Sequence, residues 1–417
     1  MAAPDPPLAP PPSSARIARE WTRIGVIGFG GPPVHMVLLR ELVVERERWI
    51  DRREFEDAIA AAGLLPGPAS TQLAIYCARR LGGPRGALIG AAGFILPGLL
   101  AVLALAAVFL AASPPLWVLA AAAGGGAAVP AVAVHAGLQL LPDSRARARP
   151  GAGARRWLAY AVAGALGAAF VGPAVVLVLL GAGLTELAWR TPRGDDERGS
   201  PTGPRPRTAT RDSASPPPDG AAAVGLPVVA SLAAAAIGTS TAARLGWTAF
   251  KVGALSYGGG FVIVPLMQSD AVERYGWMTD PQFLSAVAIG QVTPGPVVNT
   301  IAAVGWSAGG IGGALLAAAI AFGPSVLLIA TAGHRFEQLR TSAHAQAFLL
   351  GSGPAALGAI LGSAVPLASS LTEPWQWVLA LVAGAALIGA RRGVVPTLLA
   401  AAVIGIVIGA AGGEIPR

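Results

Sequence analysis

The sequence predicts an all-α polytopic membrane protein made of two homologous, inverted repeats whose helices are broken by proline and glycine. Three observations carry this expectation. Of 417 residues 54% are apolar and only 12% charged, where a soluble domain has about 25% charged, and the mean hydropathy is +0.61. Apolar runs of about 20 residues, the length that crosses a bilayer core, recur along the chain. The second half repeats the first at a constant offset.

Taken in order, residues 1–20 form a cytoplasmic tail, proline-rich and disordered over 1–14 and without a cleavage signal, so it is read as retained. Candidate spans follow at 22–39, 57–78, 84–112, 115–141, 157–171 and 173–189, and 21–189 is the first repeat. A linker over 190–220, rich in Arg, Asp, Ser, Thr and Pro, has no apolar periodicity and reads as disordered. Residues 221–246 hold a connecting span at 221–238. The second repeat, 247–417, carries spans at 247–268, 283–306, 311–332, 347–370, 375–390 and 393–411. That makes thirteen spans, with 10 to 12 if the weaker ones are merged.

The repeat is read at an offset of 228 residues without a gap. Arg23 then falls on Lys251, Phe29-Gly30-Gly31 on Tyr257-Gly258-Gly259, Glu45-Arg46 on Glu273-Arg274, and Trp49 on Trp277. Pro66-Gly67-Pro68 falls on Pro294-Gly295-Pro296 and Gly82 on Gly310. Loop charge sets the relative orientation. The loop after the first Pro-Gly-Pro span is basic (Arg79, Arg80, Arg85), whereas the one after the second, at 307–310, is uncharged. The next basic loops are Arg145 to Arg156 in one half, and Arg335, Arg340 and Arg391-Arg392 in the other. Basic loops stay cytoplasmic, so the two halves are expected to run through the membrane in opposite senses.

The net charge of +8 rests almost wholly on arginine, because Lys251 is the only lysine. Those arginines lie in short loops between apolar runs, and aromatics are only 6%, so nucleic acid is excluded as a partner. The single cysteine, Cys77, rules out an intrachain disulfide or a cysteine-based metal site. No zinc-protease, Walker or nucleophile-elbow motif is present, so no enzyme activity, metal or cofactor is expected.

Inverted repeats with broken helices are a signature of secondary transporters, whose site lies near the midplane. GLLPGPASTQ (63–72) and GQVTPGPVVNT (290–300) each set two prolines inside an apolar run, where a helix must break. Beyond each break a new helix starts with free N–H groups and its positive dipole end, which suits an anion. Ser70, Thr71 and Gln72 in one half, and Asn299 and Thr300 in the other, follow the breaks and can donate to oxyanion oxygens. Two such ends facing each other suit a small tetrahedral dianion; the competing reading is a pair of structural kinks. The glycines Gly30, Gly31, Gly258 and Gly259 either unwind the first span of each half toward the same cavity or serve close helix packing. Arg23 and Lys251 either face the cavity, attracting the anion, or snorkel to the interface. His35 and His135 either relay protons or pack helices. The charged stretches 40–57 and 268–283 read as interfacial segments anchored by Trp49 and Trp277.

The runs FGGPPVHM, RERWIDRREF and GLLPGPASTQLAIYCARRLGGPRGALIGAAGFILPG resemble the first domain of the chromate transporter family. KVGALSYGGGFVIVPLMQ and GWMTDPQFLSAVAIGQVTPGPVVNTIAAVGW resemble its second domain. The resemblance is close over about 20–110 and 247–330, and fits the long, two-domain form. It implies gradient-driven export of chromate across the bacterial inner membrane and resistance to chromate, with sulfate or molybdate transport and a passive anion channel as alternatives. A homodimer is left open. The family often has a polar residue, commonly glutamine, before the first LLPGP; here Ala62-Gly63 stands there, while Gln291 is kept in the second half.

Overall fold

A computed structural model describes residues 8–63, 67–148, 151–172, 175–190, 240–256, 263–332 and 342–416. The expected linker over 191–220, the connecting span at 221–238, and the site residues Pro66, Gly258 and Gly259 lie outside the described residues. Within them the protein is helical, with no strand. Four helices are long and apolar enough to cross a membrane: Ala69–Phe109, Leu116–Ala146, Val297–Thr331 and Gln346–Ser369.

The chain opens with α1 (Ser14–Ile27), whose first turn is capped by Ser13, accepting from the Arg16 N–H. Helix formation thus begins inside the expected 1–20 tail, because Ile17, Trp21 and Ile24 form one apolar stripe that the core buries. Trp21 Nε1 donates to the Ala74 carbonyl at 2.8 Å. Gly30 and Gly31, both at positive φ, then reverse the chain into α2 (Pro32–Arg40) and a π-turn at Glu41–Arg46. Ion pairs lock the two ends of this hairpin together: Arg46 to Glu20 at 2.8 Å and Arg16 to Glu47 at 2.6 Å. The apolar run 22–39 is therefore a helical hairpin entering and leaving on one side, not one through-going span.

The run 57–78 folds the same way. Helix α3 (Arg52–Ala62) starts at Asp51, which accepts from the N–H groups of Arg53 and Glu54. After the Pro-Gly-Pro turn, α4 (Ala69–Phe109) descends to Gly82 and Gly83, where non-helical dihedrals turn it back on itself. Arg80, at the end of this first leg, pairs with Glu54 at the start of α3 at 2.6 Å. Two prolines had suggested a kinked crossing, but Gly67 at φ +123 lets the chain reverse completely. Gly86 and Gly90 admit the returning backbone, since a Cβ on either would lie 2.3 Å from Ala78. The second leg, Pro84 to Phe109, is about 39 Å long at about 1.5 Å per residue. Cys77 is fully buried in the first leg.

The second half contains the same devices. Helix α9 (Thr241–Leu255) is capped by Ser240 and lies beside α10 (Ile263–Gln268), which runs into a π-turn at Ser269–Arg274. Helix α11 (Asp280–Val292) begins with a capping box between Thr279 and Gln282. A 3₁₀ turn at Val297–Asn299 leads into α12 (Thr300–Ala332), which reverses at Gly309 and Gly310. Gly290 and Thr300 touch across the Pro-Gly-Pro turn, as the two legs of a hairpin do.

One detail of the repeat differs from a gapless register. Gly310 (φ 61°, ψ −152°) has the backbone conformation of Gly83 (φ 60°, ψ −155°), not of Gly82. The second half is one residue shorter between its Pro-Gly-Pro turn and its reversal. The 3₁₀ turn accounts for this: three residues rising about 2.0 Å each cover the length of four α-helical residues at about 1.5 Å.

The remaining helices are α5 (Leu116–Ala127), α6 (Val129–Ala146), α7 (Ala152–Leu166), α8 (Val175–Arg190), α13 (Ala343–Gly362), α14 (Ala364–Ser369), α15 (Pro374–Gly384) and α16 (Val394–Ala410). They pack through small residues, which let backbones approach closely where the apolar solvent gives no drive to burial. Gly124 meets Ala401 and Gly405, Gly164 meets Ala355, and Gly351 meets Ala182. Glu186, buried between α7, α8 and α13, is held by Arg156, Arg190 and the Tyr160 hydroxyl. Arg79 Nε donates to the Ala330 carbonyl at 3.2 Å, so the reversal at Gly82–Gly83 lies beside the end of α12 farthest from Gly310.

A Cβ on Gly253 would lie 2.1 Å from the Ala321 carbonyl oxygen, whereas one on Gly181 would meet nothing within 4 Å. Gly253→Ala is expected to cost about 1–3 kcal/mol by overpacking. Gly181→Ala should be neutral or slightly stabilising, by up to about 1 kcal/mol. Thermal unfolding of the detergent-solubilised variants measures both.

Candidate anion site at the hairpin tips

The tips of the hairpins meet inside the protein. The Gly28 carbonyl accepts from the Gly295 N–H at 2.9 Å and from His35 Nε2 at 2.9 Å. A carbonyl can only accept, so Nε2 carries the imidazole proton. His35 Nδ1 is then the acceptor for the Ser70 hydroxyl at 3.1 Å. The ring is fully buried, with its edge on Phe94 at 4.9 Å between centroids. His35 therefore links the first hairpin tip, the half-helix after the first Pro-Gly-Pro turn and the long leg of α4. Both of its ring nitrogens are engaged.

Each Pro-Gly-Pro turn rests on the long leg of the opposite half. A Cβ on Gly98 would lie 2.1 Å from the Pro294 carbonyl oxygen and 2.6 Å from Asn299 Nδ2. A Cβ on Gly67 would lie 2.6 Å from Ser325 Oγ, which also accepts from Gln72 Nε2 at 3.3 Å. Gly98 and Ser325 each follow a proline inside their leg, Pro97 and Pro324. Gly98 lies about midway along the Pro84–Phe109 leg, so the second turn sits deep in the bundle.

Several expected site residues converge here. Ser70, Thr71, Gln72, Gln291, Asn299 and Thr300 are all buried around the two turns. Thr71 Oγ1, Gln291 Nε2, Ser256 Oγ and both amide atoms of Asn299 are buried without a hydrogen-bond partner among the described residues. The helix after Pro68 and the 3₁₀ turn after Pro296 both start without a side-chain cap. A buried helix start normally finds a capping group or water. Two uncapped starts and a set of unpaired amide and hydroxyl groups form a polar nest that can surround a small anion with donors. Thr300 is an exception, since its hydroxyl donates to the Val297 carbonyl at 2.7 Å.

Gly30 and Gly31 sit at a tip, at φ +105 and +77, so they turn the chain, and Gly31 approaches Val297 of the other half. The two expected cations are elsewhere. Arg23 is half exposed at the hairpin base, 3.7 Å from Glu20. Lys251 is paired with the fully buried Asp270 at 2.5 Å, and Asp270 also accepts from Thr248 at 2.7 Å. A neutralised lysine does not attract an anion over distance, so its expected role gives way to tying two legs together. His135 lies in α6, bonded to Gln139 at 2.8 Å, and contacts neither turn.

Asp270, Ser325 and Gly98 were not singled out from the sequence. The available signal was the in-helix proline followed by a small residue, Pro97-Gly98 and Pro324-Ser325, at matching places in the halves. Among the described residues no group of acidic, histidine and cysteine side chains could hold a metal ion.

Comparison with known proteins identifies the family. Residues 15–187 and 243–410 match the family described as Chromate transporter. A chromate transport protein of Cupriavidus metallidurans is 31% identical over 401 residues, 96% of this chain and 94% of the relative. A probable chromate transport protein of Synechococcus elongatus is 28% identical, covering 89% of each chain. A chromate transport protein of Pseudomonas aeruginosa is 28% identical, covering 88% of this chain and 84% of the relative. No solved structure matches.

Removing Lys251 alone leaves Asp270 charged and unpaired in the interior. Lys251→Ala is expected to cost about 3–5 kcal/mol, and Lys251→Met combined with Asp270→Leu should recover most of the loss. Thermal unfolding of wild type, single and double variants checks this.

Proposed function

Because the chain belongs to the chromate transporter family, we propose that it is a secondary transporter that exports chromate across the bacterial inner membrane, conferring chromate resistance. The observation that carries this reading is the set of buried, unpaired donors beside the two Pro-Gly-Pro turns: Asn299, Thr71 and Gln291, near two uncapped helix starts. Chromate is a tetrahedral dianion with four acceptor oxygens. It supplies the partners that these donors lack, while the helix dipoles offset its charge.

The two halves act as inverted repeats. What supports this is the basic loop after the first reversal, the uncharged one after the second, and the placement of Arg79 beside Ala330. Rocking of one half against the other would expose the tips to each side in turn. No nucleotide-binding motif occurs in this chain, which supports the membrane potential or proton gradient as the driving force unless a separate subunit supplies the energy.

The deciding assay is uptake of radiolabelled chromate into everted vesicles energised by respiration, with sulfate and molybdate as competitors. Accumulation that an uncoupler abolishes is expected; equilibration without accumulation would instead indicate a passive pore, and stronger uptake of sulfate or molybdate a different substrate. Asn299→Leu should lower the chromate rate at least about tenfold, the effect of losing one well-placed charged hydrogen bond, with thermal stability unchanged. Stability should hold because its amide makes no protein hydrogen bond to lose.

A further inference from the structure

A recess of about 780 Å³ reaches from the turn before α16 to the first hairpin tip. Arg391 and Arg392 line it at that turn, His135 and Gln139 along α6, and Phe29 and Gly30 at the tip. No carboxylate is among its lining residues. Neither arginine makes an ion pair with a described residue, and both are exposed.

This sets the pair apart from two arginine clusters that carboxylates neutralise. Arg16, Arg23 and Arg46 stand over Glu20 and Glu47, and Arg156 and Arg190 share Glu186. Arg391 also occupies a left-handed conformation (φ 52°), which L side chains rarely adopt. The turn is pinned by the Arg392 N–H on the Ala386 carbonyl at 2.9 Å and the Ala390 N–H on Ala385 at 3.0 Å. A comparable turn after the 269–274 π-segment uses Gly276, although Arg48 also stands left-handed after the first one. On the α6 wall of the recess, Gln139 Nε2 donates to His135 Nε2, so the neutral ring carries its proton on Nδ1.

We propose that this recess is an oxyanion-binding vestibule, in which Arg391 and Arg392 capture a tetrahedral dianion and deliver it past His135 to the hairpin tips. The proposal rests on the transport reading and adds to it a binding site and a route. Two guanidinium groups offer ten N–H donors in planar forks that fit oxyanion edges. Unpaired charge at a low-dielectric mouth raises the local concentration of a dianion, and salt screens that attraction. In the inverted arrangement the mouth opens on the arginine-rich side, where an exporter loads.

The test measures initial rates of chromate uptake into everted vesicles at low and high ionic strength. It compares wild type, Arg391→Gln with Arg392→Gln, and Arg391→Lys with Arg392→Lys. The glutamine pair is expected to raise KM about tenfold and flatten the salt dependence, with Vmax changed less than about twofold, as loss of steering rather than of chemistry predicts. The lysine pair should keep the salt dependence with an intermediate KM, having charge without the planar fork. An unchanged KM and salt dependence in the glutamine pair overturns the vestibule. If wild type carries no chromate at all, the transport reading fails by itself, and equilibrium binding of radiolabelled chromate and sulfate to the purified proteins then decides. At least about tenfold weaker binding by the glutamine pair upholds the vestibule, and equal binding removes it.

Discussion

The structure depends on one carbonyl. Gly28 O takes a backbone N–H from Gly295 and the imidazole N–H of His35, and so joins the two halves. In hydrocarbon every unpaired peptide group costs several kcal/mol, so chain reversals inside a membrane survive only when protein encloses them. Neither half can enclose its own. The turn at Gly295 needs Gly28 and Gly98 from the first half, and the turn at Gly67 needs Ser325 from the second. This mutual housing explains why glycine stands at Gly98, and why an in-helix proline loosens each long leg beside its contact.

Charge then fixes the hairpins farther out, and the two halves solve that problem differently. In the first, Glu20 on one leg meets Arg46 beyond the other. In the second, the register partner of Glu20 is Thr248, and the acid has moved to Asp270, where the first half has Leu42. Lys251 follows the acid. Both arrangements join the outgoing leg to the returning one with a buried or half-buried carboxylate. The second, holding a fully buried Asp270, has more to lose from any single substitution.

Much of this was legible in the sequence. Composition fixed the class, and the two Pro-Gly-Pro runs marked the place where the polar side chains gather. What the linear pattern could not separate was a helix broken in passing from a helix turned back. Apolar runs of 18 to 24 residues look the same in both cases. The difference lies in pairings such as Arg80 with Glu54 and Arg16 with Glu47, which join residues far apart in the chain. The pairing of Lys251 was hidden for the same reason, since its partner Asp270 is nineteen residues away on another leg. The missing residue before Gly310 was hidden because the Pro-Gly-Pro match is gapless. Only the 3₁₀ geometry of Val297–Asn299 reveals where the length is made up.

Cys77 gives the molecule a use beyond its packing role. It is the sole thiol of the chain and is sealed inside the first leg of α4, on the half-helix that leads away from the Pro-Gly-Pro turn. A membrane-impermeant thiol reagent cannot touch it while that hairpin stays shut. The native protein is thus already a single-cysteine reporter. Its labelling rate, followed with and without cargo and from either side of a sealed vesicle, is a stopwatch for how often the hairpin opens and toward which compartment.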